Sequence, residues 1–241
     1  MAEILPAILP KNYEDLKNKV ALVRGIAPVV QVDLCDGIFV PSLTWPFLSK
    51  PSQVEGEFLE NDFDEHFKKI LREQEGMPFW EDIDFELDLM VVGAVENFDI
   101  YTKLGPRRII FHLEAVGDLE NFKNFLEGID MYIRDAIEIG VALKPGTPLE
   151  KLFPLIPFID FVQCMGNDKI GYQGITLDDK VYGKIKTIRE KYPNLPIGVD
   201  IGVNETTAPL LVASGATKLA AGSAIFNTDD IIETIERFRE L

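Results

Sequence analysis

Residues 4–34 have the sequence ILPAILPKNYEDLKNKVALVRGIAPVVQVDL, and this stretch decides the fold. It begins and ends with short apolar runs, at residues 4–9 and 29–34. Between the runs lie four apolar residues at helical spacing, Tyr13, Leu16, Val20 and Val23. The stretch therefore predicts a strand, an amphipathic helix and a second strand. Strands that are apolar along most of their length are typical of a parallel sheet covered by helices.

The same alternation continues to the end of the chain. Further apolar runs occupy residues 85–92, 108–113, 141–143, 158–165, 197–203 and 218–225. Helical stripes separate several of them, such as Val181, Ile185, Ile188 and Tyr192. Eight strands, each followed by a helix, predict an α/β fold of the (β/α)8 barrel type. No linker is visible, so we expect residues 1–241 to form one domain.

Three local features qualify this pattern. The segment after the second run is too long for an ordinary connection, and residues 46–83 are predicted to be an insertion, either an active-site lid or a structural addition. The helix predicted over residues 118–138 contains Gly128, where we expect a break. Thr228, followed by two acids, is predicted to cap the last helix.

Composition excludes several classes of protein. Lys and Arg number 24 against 40 Asp and Glu, which gives a net charge of −16, and so acidic a chain would repel a nucleic-acid backbone. No apolar stretch approaches the roughly 20 residues of a membrane span, and the N-terminus lacks the basic region of a signal peptide. Cys35 and Cys164 lie in apolar runs and are expected to be buried free thiols. We therefore expect a cytoplasmic protein.

Acidic residues stand at the ends of three predicted strands. Alternation places Gln31, Asp33 and Cys35 on one face of the second strand. A carboxylate inside an apolar strand costs several kcal/mol unless it is paired or ligated, so Asp33 points to a site. Asp88 and Asp200 occupy the corresponding ends of two further strands. Acids that converge on one barrel mouth can bind a metal or act as an acid/base pair.

Glycine-rich turns follow the last three strands. They comprise Gly171-Tyr172-Gln173-Gly174, Gly202, and Gly222-Ser223. Loops at these positions of a barrel commonly bind phosphate through backbone N–H groups, so we predict a phosphate subsite there. His112, in the fourth strand, is a lone strand histidine, for which a structural role is the favoured interpretation over a role in the pocket.

Several motifs resemble the ribulose-phosphate 3-epimerase family, nearly from end to end of the chain. They are residues 32–44 (VDLCDGIFVPSLT), 140–150 (GVALKPGTPLE), 199–204 (VDIGVN) and 221–226 (AGSAIF). The resemblance implies an isomerase that inverts C3 of a pentulose 5-phosphate. It assigns Asp33 and Asp200 to proton transfer on the two faces of the substrate, and a bound metal to stabilising the enediolate between the two steps. The places of its intermediate-capping methionines are held by Cys35, Met90 and Met165.

The chain departs from the family pattern where the metal would bind. Gln31 and Asp88 stand where the family has two histidine ligands, and Lys144 stands where it has an asparagine. Two replacements are possible. Gln31, Asp33, Asp88 and Asp200 can form an all-oxygen site, which would favour Mg²⁺ or Mn²⁺ over zinc. Alternatively, the Lys144 ammonium can supply the positive charge.

Three functions therefore stay open at the level of sequence. The first is the epimerase itself, with a small-molecule sugar phosphate as its substrate and a homo-oligomeric assembly. The second is a related barrel enzyme that acts on another sugar phosphate. The third is a non-catalytic phosphosugar-binding paralogue. All three retain the acids and the glycine loops, and they differ in whether a C3 proton is exchanged.

Overall fold

Eight parallel strands close into a barrel in which each strand pairs with its neighbours along the chain, and β8 pairs with β1. The structure is a computed structural model that describes residues 2–54 and 57–240. The strands are β1 Glu3–Ile8, β2 Val29–Cys35, β3 Asp84–Met90, β4 Arg108–His112, β5 Glu138–Leu143, β6 Phe161–Met165, β7 Ile197–Asp200 and β8 Lys218–Ala221. The predicted single-domain (β/α)8 barrel with an enlarged loop after β2 is confirmed.

Helices cover the outside of the barrel. They are α1 Tyr13–Val23, α2 Glu65–Leu71, α3 Phe98–Thr102, α4 Leu119–Gly128, α5 Met131–Ala136, α6 Lys180–Lys191, α7 Ala208–Ser214, α8 Ser223–Phe226 and α9 Ile231–Arg239. Short 3-10 turns occupy Glu60–Asp62, Leu149–Lys151 and Phe153–Phe158. No helix among the described residues is long and apolar enough to cross a membrane.

The first helix shows how local sequence determines these elements. Asn12 caps α1 by accepting a hydrogen bond from the backbone N–H of Asp15 at 2.9 Å. The acids Glu14 and Asp15 lie in the first turn, where they interact favourably with the helix dipole. The predicted stripe is the face that packs on the barrel, because its four residues are all buried: Tyr13, Leu16, Val20 and Val23.

Helix boundaries near the C-terminus differ in part from the prediction. The break at Gly128 is confirmed, since α4 ends there and α5 begins at Met131. The cap assigned to Thr228 is wrong. Asp230 caps α9 by accepting from the N–H of Glu233 at 2.9 Å, and Thr228 instead donates to the carbonyl of Ile225. The Asp230 carboxylate adjoins the first helical residue, whereas the Thr228 hydroxyl lies too early in the chain to reach the free N–H groups.

Charged and aromatic side chains fill the barrel interior toward the N-terminal ends of its strands. Glu86 forms ion pairs with Arg108 at 3.2 Å and with Lys218, and all three side chains are buried. The Phe161 ring occupies the space beside Gly140. A Cβ on Gly140 would lie 2.3 Å from that ring, so the glycine makes room for it.

The enlarged loop after β2 packs against α1. The indole nitrogen of Trp45 donates to Asp64 at 3.1 Å, at the start of α2. The Tyr13 ring stacks on His66 with centroids 3.8 Å apart, and its hydroxyl donates to Glu75 at 2.7 Å. These contacts hold the part of the segment around α2 against α1. Residues 55 and 56 of that segment lie outside the described residues.

Candidate active site

A cavity of about 400 Å³ opens at the C-terminal ends of the strands. Its wall contains Asp33 from β2, Asp200 from β7, and the loops that follow β6, β7 and β8. The predicted glycine-loop residues all line it: Gly171, Tyr172, Gln173, Gly174, Gly202, Gly222 and Ser223. The cavity therefore brings together the two sets of residues that the sequence singles out, acids and glycine turns.

Three carboxylates converge beside this cavity, and two of them, Asp33 and Asp200, line its wall whereas Asp88 does not. Asp33, Asp88 and Asp200 each offer an oxygen, and these oxygens all lie within 4.8 Å of one another. The side chains are almost inaccessible to solvent, with exposed fractions of 6%, 0% and 7%. β2 and β3 are adjacent strands in which Asp33 pairs with Asp88, whereas β7 lies three strands away from β2 around the barrel. The acids thus approach a common point from different sides.

Neighbouring groups form hydrogen bonds with only some of the side-chain oxygens in this cluster. Gln31 donates to Asp33 Oδ1 at 2.8 Å, and the His112 ring nitrogen Nε2 lies 2.8 Å from Asp88 Oδ1. Asp200 Oδ1 accepts from the backbone N–H of Ile201 at 2.7 Å. Two buried oxygens beside these contacts, Gln31 Oε1 and Asp88 Oδ2, have no hydrogen-bond partner among the described residues.

Burial is the main cause of the raised pKa values of two of these acids. Burial, followed by the charges of Asp200 and Asp88, raises the pKa of Asp33 well above its usual range. Burial, followed by the charge of Asp88, raises the pKa of Asp200 to about 7. Carboxyl groups with such pKa values can carry a proton near neutral pH, as an acid/base pair requires.

These residues fit a hard divalent cation. The three carboxylates form an all-oxygen donor set, of the kind that Mg²⁺ and Mn²⁺ prefer, and Gln31 as a fourth ligand stays a prediction. Asp88 Oδ2, which has no hydrogen-bond donor among the described residues, offers lone pairs that a cation would satisfy. No histidine or cysteine belongs to the ligand cluster formed by the described residues, so a zinc-type donor set is not present there.

Two glycines allow the loops to meet around the cavity. Gly202 has a φ of +74°, and a Cβ there would lie 2.6 Å from the backbone nitrogen of Leu177. A Cβ on Gly222 would lie 2.6 Å from the side-chain nitrogen of Gln173. The loop after β6 therefore packs directly on the turns after β7 and β8. This contact places their backbones on one wall of the cavity.

The three sulfur-containing side chains assigned to the methionine positions lie in a separate apolar cluster. Cys35, Met90 and Met165 are buried in it, together with residues such as Ile110 and Ala142. Met90 also lines the cavity, whereas Cys35 and Met165 are absent from its wall. Contact of these two side chains with a substrate stays a prediction. Neither cysteine forms a disulfide, as expected.

Lys144 faces a different space from the acids. It lines a neighbouring cavity of about 520 Å³, and its ammonium lies 5.2 Å from the centroid of the Phe39 ring. Tyr172 and Ile175 are shared between the walls of the two cavities. Among the residues described by the structure, no Lys or Arg lines the cavity with the acids. The Lys144 alternative for the positive charge therefore has no support from this geometry.

Sequence reasoning missed several residues of the wall. Ala7, Thr176, Asn204 and Asn227 line the cavity. Asn204 and Asn227 follow β7 and β8 within a few residues, so their position in the chain is the signal that could have found them. His112, for which the structural role was favoured, contacts the acid cluster through Asp88. None of the described residues between 46 and 83 lines the cavity, and the lid stays a prediction.

Comparison with known sequences identifies clear relatives. A sequence model of the ribulose-phosphate 3 epimerase family matches residues 56–226. The chain is 28% identical over 243 residues to the ribulose-phosphate 3-epimerase, cytoplasmic isoform, of Oryza sativa subsp. japonica, covering 99% of this chain and 93% of that protein. It is 27% identical over 245 residues to the ribulose-phosphate 3-epimerase of Bacillus subtilis (strain 168), covering 99% of each.

Solved structures share the barrel at lower identity. The crystal structure of KGPDC from Streptococcus mutans has a TM-score of 0.65 at 13% identity, over 100% of this chain and 96% of that one. A crystal structure of 3-hexulose-6-phosphate synthase has a TM-score of 0.62 at 16% identity, over 100% and 99%. At these identities the likeness shows the fold alone.

Proposed function

The chain belongs to the ribulose-phosphate 3-epimerase family, and from this premise we propose that it inverts C3 of a pentulose 5-phosphate. The observation that carries the proposal is the pair Asp33 and Asp200, which line one cavity from strands on different sides of the barrel. Inversion needs proton removal from one face of C3 and proton return on the other. Two carboxyl groups in one cavity provide both functions.

The reaction begins with a C3 proton that is acidified by the adjacent C2 ketone. One of the two carboxylates takes this proton, and the electron pair of the C–H bond moves into the C2–C3 bond while the carbonyl electrons move to the C2 oxygen. The other carboxyl group then gives its proton to C3 from the opposite face, where the C2–C3 double-bond pair forms the new C–H bond and the pair on the C2 oxygen restores the ketone. The raised pKa values of Asp33 and Asp200 support this assignment, because one group must be ionised while the other holds a proton.

A divalent cation, Mg²⁺ or Mn²⁺, would be held by Asp33, Asp88 and Asp200 together with the amide oxygen of Gln31. When bound, it supplies positive charge that stabilises the negative oxygen developing at C2. The protein itself provides the other contributions to catalysis. The nearly complete burial of the three acids excludes bulk water from the proton transfer and fixes the positions of their oxygens.

The phosphate is proposed to bind on the wall formed by the glycine loops. Gly171, Gly174, Gly202, Gly222 and Ser223 line this wall, where their backbone N–H groups would be the donors to the phosphate. Tyr172 and Gln173 complete this wall. A phosphate held there would orient C3 toward Asp33 and Asp200. Homo-oligomer formation and a cytoplasmic location stay predictions of the sequence.

Solvent exchange at C3 tests the proposal directly. Purified protein with Mg²⁺ or Mn²⁺ and ribulose 5-phosphate in D₂O should incorporate deuterium at C3 and produce the C3 epimer, both visible by NMR. Asp33→Asn and Asp200→Asn should each lower the rate of epimerisation by at least about 10²-fold, because each removes one of the two proton-transferring groups.

An Asp→Asn substitution on the surface controls for the general effect of removing one carboxylate. Asp82 pairs with Arg24 on the surface at 3.3 Å, and Asp82→Asn should retain the wild-type rate. The proposal fails if neither exchange nor epimerisation occurs with any divalent ion. Turnover of a different sugar phosphate that Asp33→Asn abolishes would instead establish the related barrel enzyme. Thermal stabilisation by phosphosugars without turnover would establish the binding paralogue.

A further inference from the structure

His112 is the last residue of β4 and is completely buried next to the acid cluster. Its Nε2 atom lies 2.8 Å from Asp88 Oδ1. The ring also packs near Phe39, with centroids 5.5 Å apart. His112 is not itself among the residues whose atoms converge to form the candidate cation site. The hydrogen bond to Asp88 is the direct contact through which this side chain can act on a bound ion.

The direction of the hydrogen bond follows from the chemistry of the two groups. A carboxylate oxygen only accepts, so Nε2 carries the hydrogen and donates it. Asp88 Oδ1 is occupied by this bond, while Oδ2 has no partner among the residues the structure describes. The contact therefore holds one oxygen and leaves the other available to a ligand. At an exposed fraction of 0%, the Asp88 side chain also receives no help from bulk water.

We propose that His112 is a positioning residue for the cation site, which it serves by fixing the Asp88 carboxylate so that Oδ2 is free to bind the ion. The inference rests on the proposed function only in taking Asp33, Asp88 and Asp200 as ligands. A donor that orients a ligating carboxylate pre-organises the site, because the ion need not meet the cost of ordering that side chain. Loss of such a partner typically weakens metal binding by about 10–100-fold.

Metal affinity tests this role without any measurement of activity. Mn²⁺ is titrated calorimetrically into the metal-free wild type and two variants. His112→Leu has a similar volume but no donor, and its dissociation constant should rise about 10–100-fold. His112→Gln retains an N–H donor and should bind Mn²⁺ within about 3-fold of wild type. Ser214→Ala provides the control, since Ser214 is a buried polar residue at the end of α7, outside the barrel, and should leave the affinity unchanged.

Three results would overturn the proposal: equal Mn²⁺ affinity of His112→Leu and wild type, equal weakening in both His112 variants, or no Mn²⁺ binding by the wild type. Failure of the proposed function is a separate result, because the exchange assay can fail while these affinities follow the expected order.

A second measurement leaves His112 unchanged and covers the case in which His112→Leu does not fold. The chain contains only two histidines, so the ring signals of ¹⁵N-labelled protein are readily separated by a His66→Gln variant. The His112 ring should be protonated at Nε2, and its Nε2–H signal should shift when Mg²⁺ is added, while the His66 signal stays fixed. A His112 signal that does not respond to Mg²⁺ or Mn²⁺ would refute the coupling through Asp88.

Discussion

At the scale of the residue, the site is defined by carboxylates placed where burial opposes their charge. Asp33 and Asp200 have raised pKa values for the same two reasons, low exposure and neighbouring acids. Gln31 partly offsets this for Asp33 by donating to its Oδ1 at 2.8 Å. The metal-free cluster is consequently most stable when at least one of its members holds a proton. This property gives the protein a pH dependence that a bound cation should remove.

The Asp200 carboxyl should lower the free energy of unfolding of the metal-free protein as the pH rises from about 4 to about 8. The pKa of Asp200 is raised from 3.8 to about 7 in the folded protein, so its stabilising contribution is complete below pH 3.8 and is lost as the pH passes 7. One such group changes the free energy of unfolding by at most about 1.4 kcal/mol per pH unit. Urea denaturation in the presence of EDTA, at a series of pH values, measures this slope.

Asp200→Asn supplies the comparison for this pH dependence. The amide does not ionise, so the variant should show a shallower decline between pH 4 and pH 8 than the wild type. Asp82→Asn, which alters an exposed ion pair, should keep the wild-type slope. A wild-type stability that does not fall relative to that of Asp200→Asn over this range would contradict the pKa assignment.

At the scale of the element, packing inside the barrel separates two kinds of glycine. Gly140 lies on β5, where an added Cβ would meet the Phe161 ring at 2.3 Å. Gly183 lies inside α6, where an added Cβ would meet nothing within 4 Å. The same substitution should therefore have opposite effects at the two positions.

Gly140→Ala should destabilise the protein by about 1–3 kcal/mol, because the methyl group overpacks the barrel interior. Gly183→Ala should stabilise it by about 0.5–1 kcal/mol, because alanine is the better helix former and the site has room for its side chain. Chemical denaturation of both variants against wild type gives the two signs. If both substitutions changed the free energy of unfolding in the same direction, packing against Phe161 would not decide whether position 140 accepts an alanine.

The elements themselves were largely predictable from apolar periodicity, since a buried strand and an amphipathic helix differ in spacing. Two details could not be predicted, each for a physical reason. The run at 218–225 predicts one strand, whereas β8 ends at Ala221 and Ser223 begins α8, because short apolar runs suit either structure. The contact of His112 with Asp88 depends on the register between β3 and β4, which spacing along the chain does not specify.

The candidate site was predictable for a different reason, namely that parallel strands bring their C-terminal ends together. This rule places Asp33, Asp88 and Asp200 at one end, and their oxygens do converge. It does not determine where a long side chain points once the strand has ended. Lys144 therefore follows β5 as expected, while its ammonium lies over the Phe39 ring in the neighbouring cavity.

At the scale of the whole molecule, the net charge of −16 opposes an anionic substrate. Within the described part of the chain, no basic side chain lines the cavity to offset this repulsion. The backbone N–H groups of the glycine loops provide only partial charges. A cation at Asp33, Asp88 and Asp200 would thus complete the electrostatics of the site, as well as neutralise three buried acids.

Divalent ions should consequently raise the thermal stability of the protein through this one site. An ion present at 100 times its dissociation constant stabilises the folded state by about 2.7 kcal/mol, which for a chain of 241 residues corresponds to a rise in Tm of about 5–10 °C. Scanning calorimetry in EDTA and in Mn²⁺ measures the difference. Asp88→Asn should lose most of the rise, because it removes a ligand, whereas Asp82→Asn should retain it. A full rise in Asp88→Asn would show that the ion binds elsewhere on the acidic surface and that the cavity obtains its positive charge from another source.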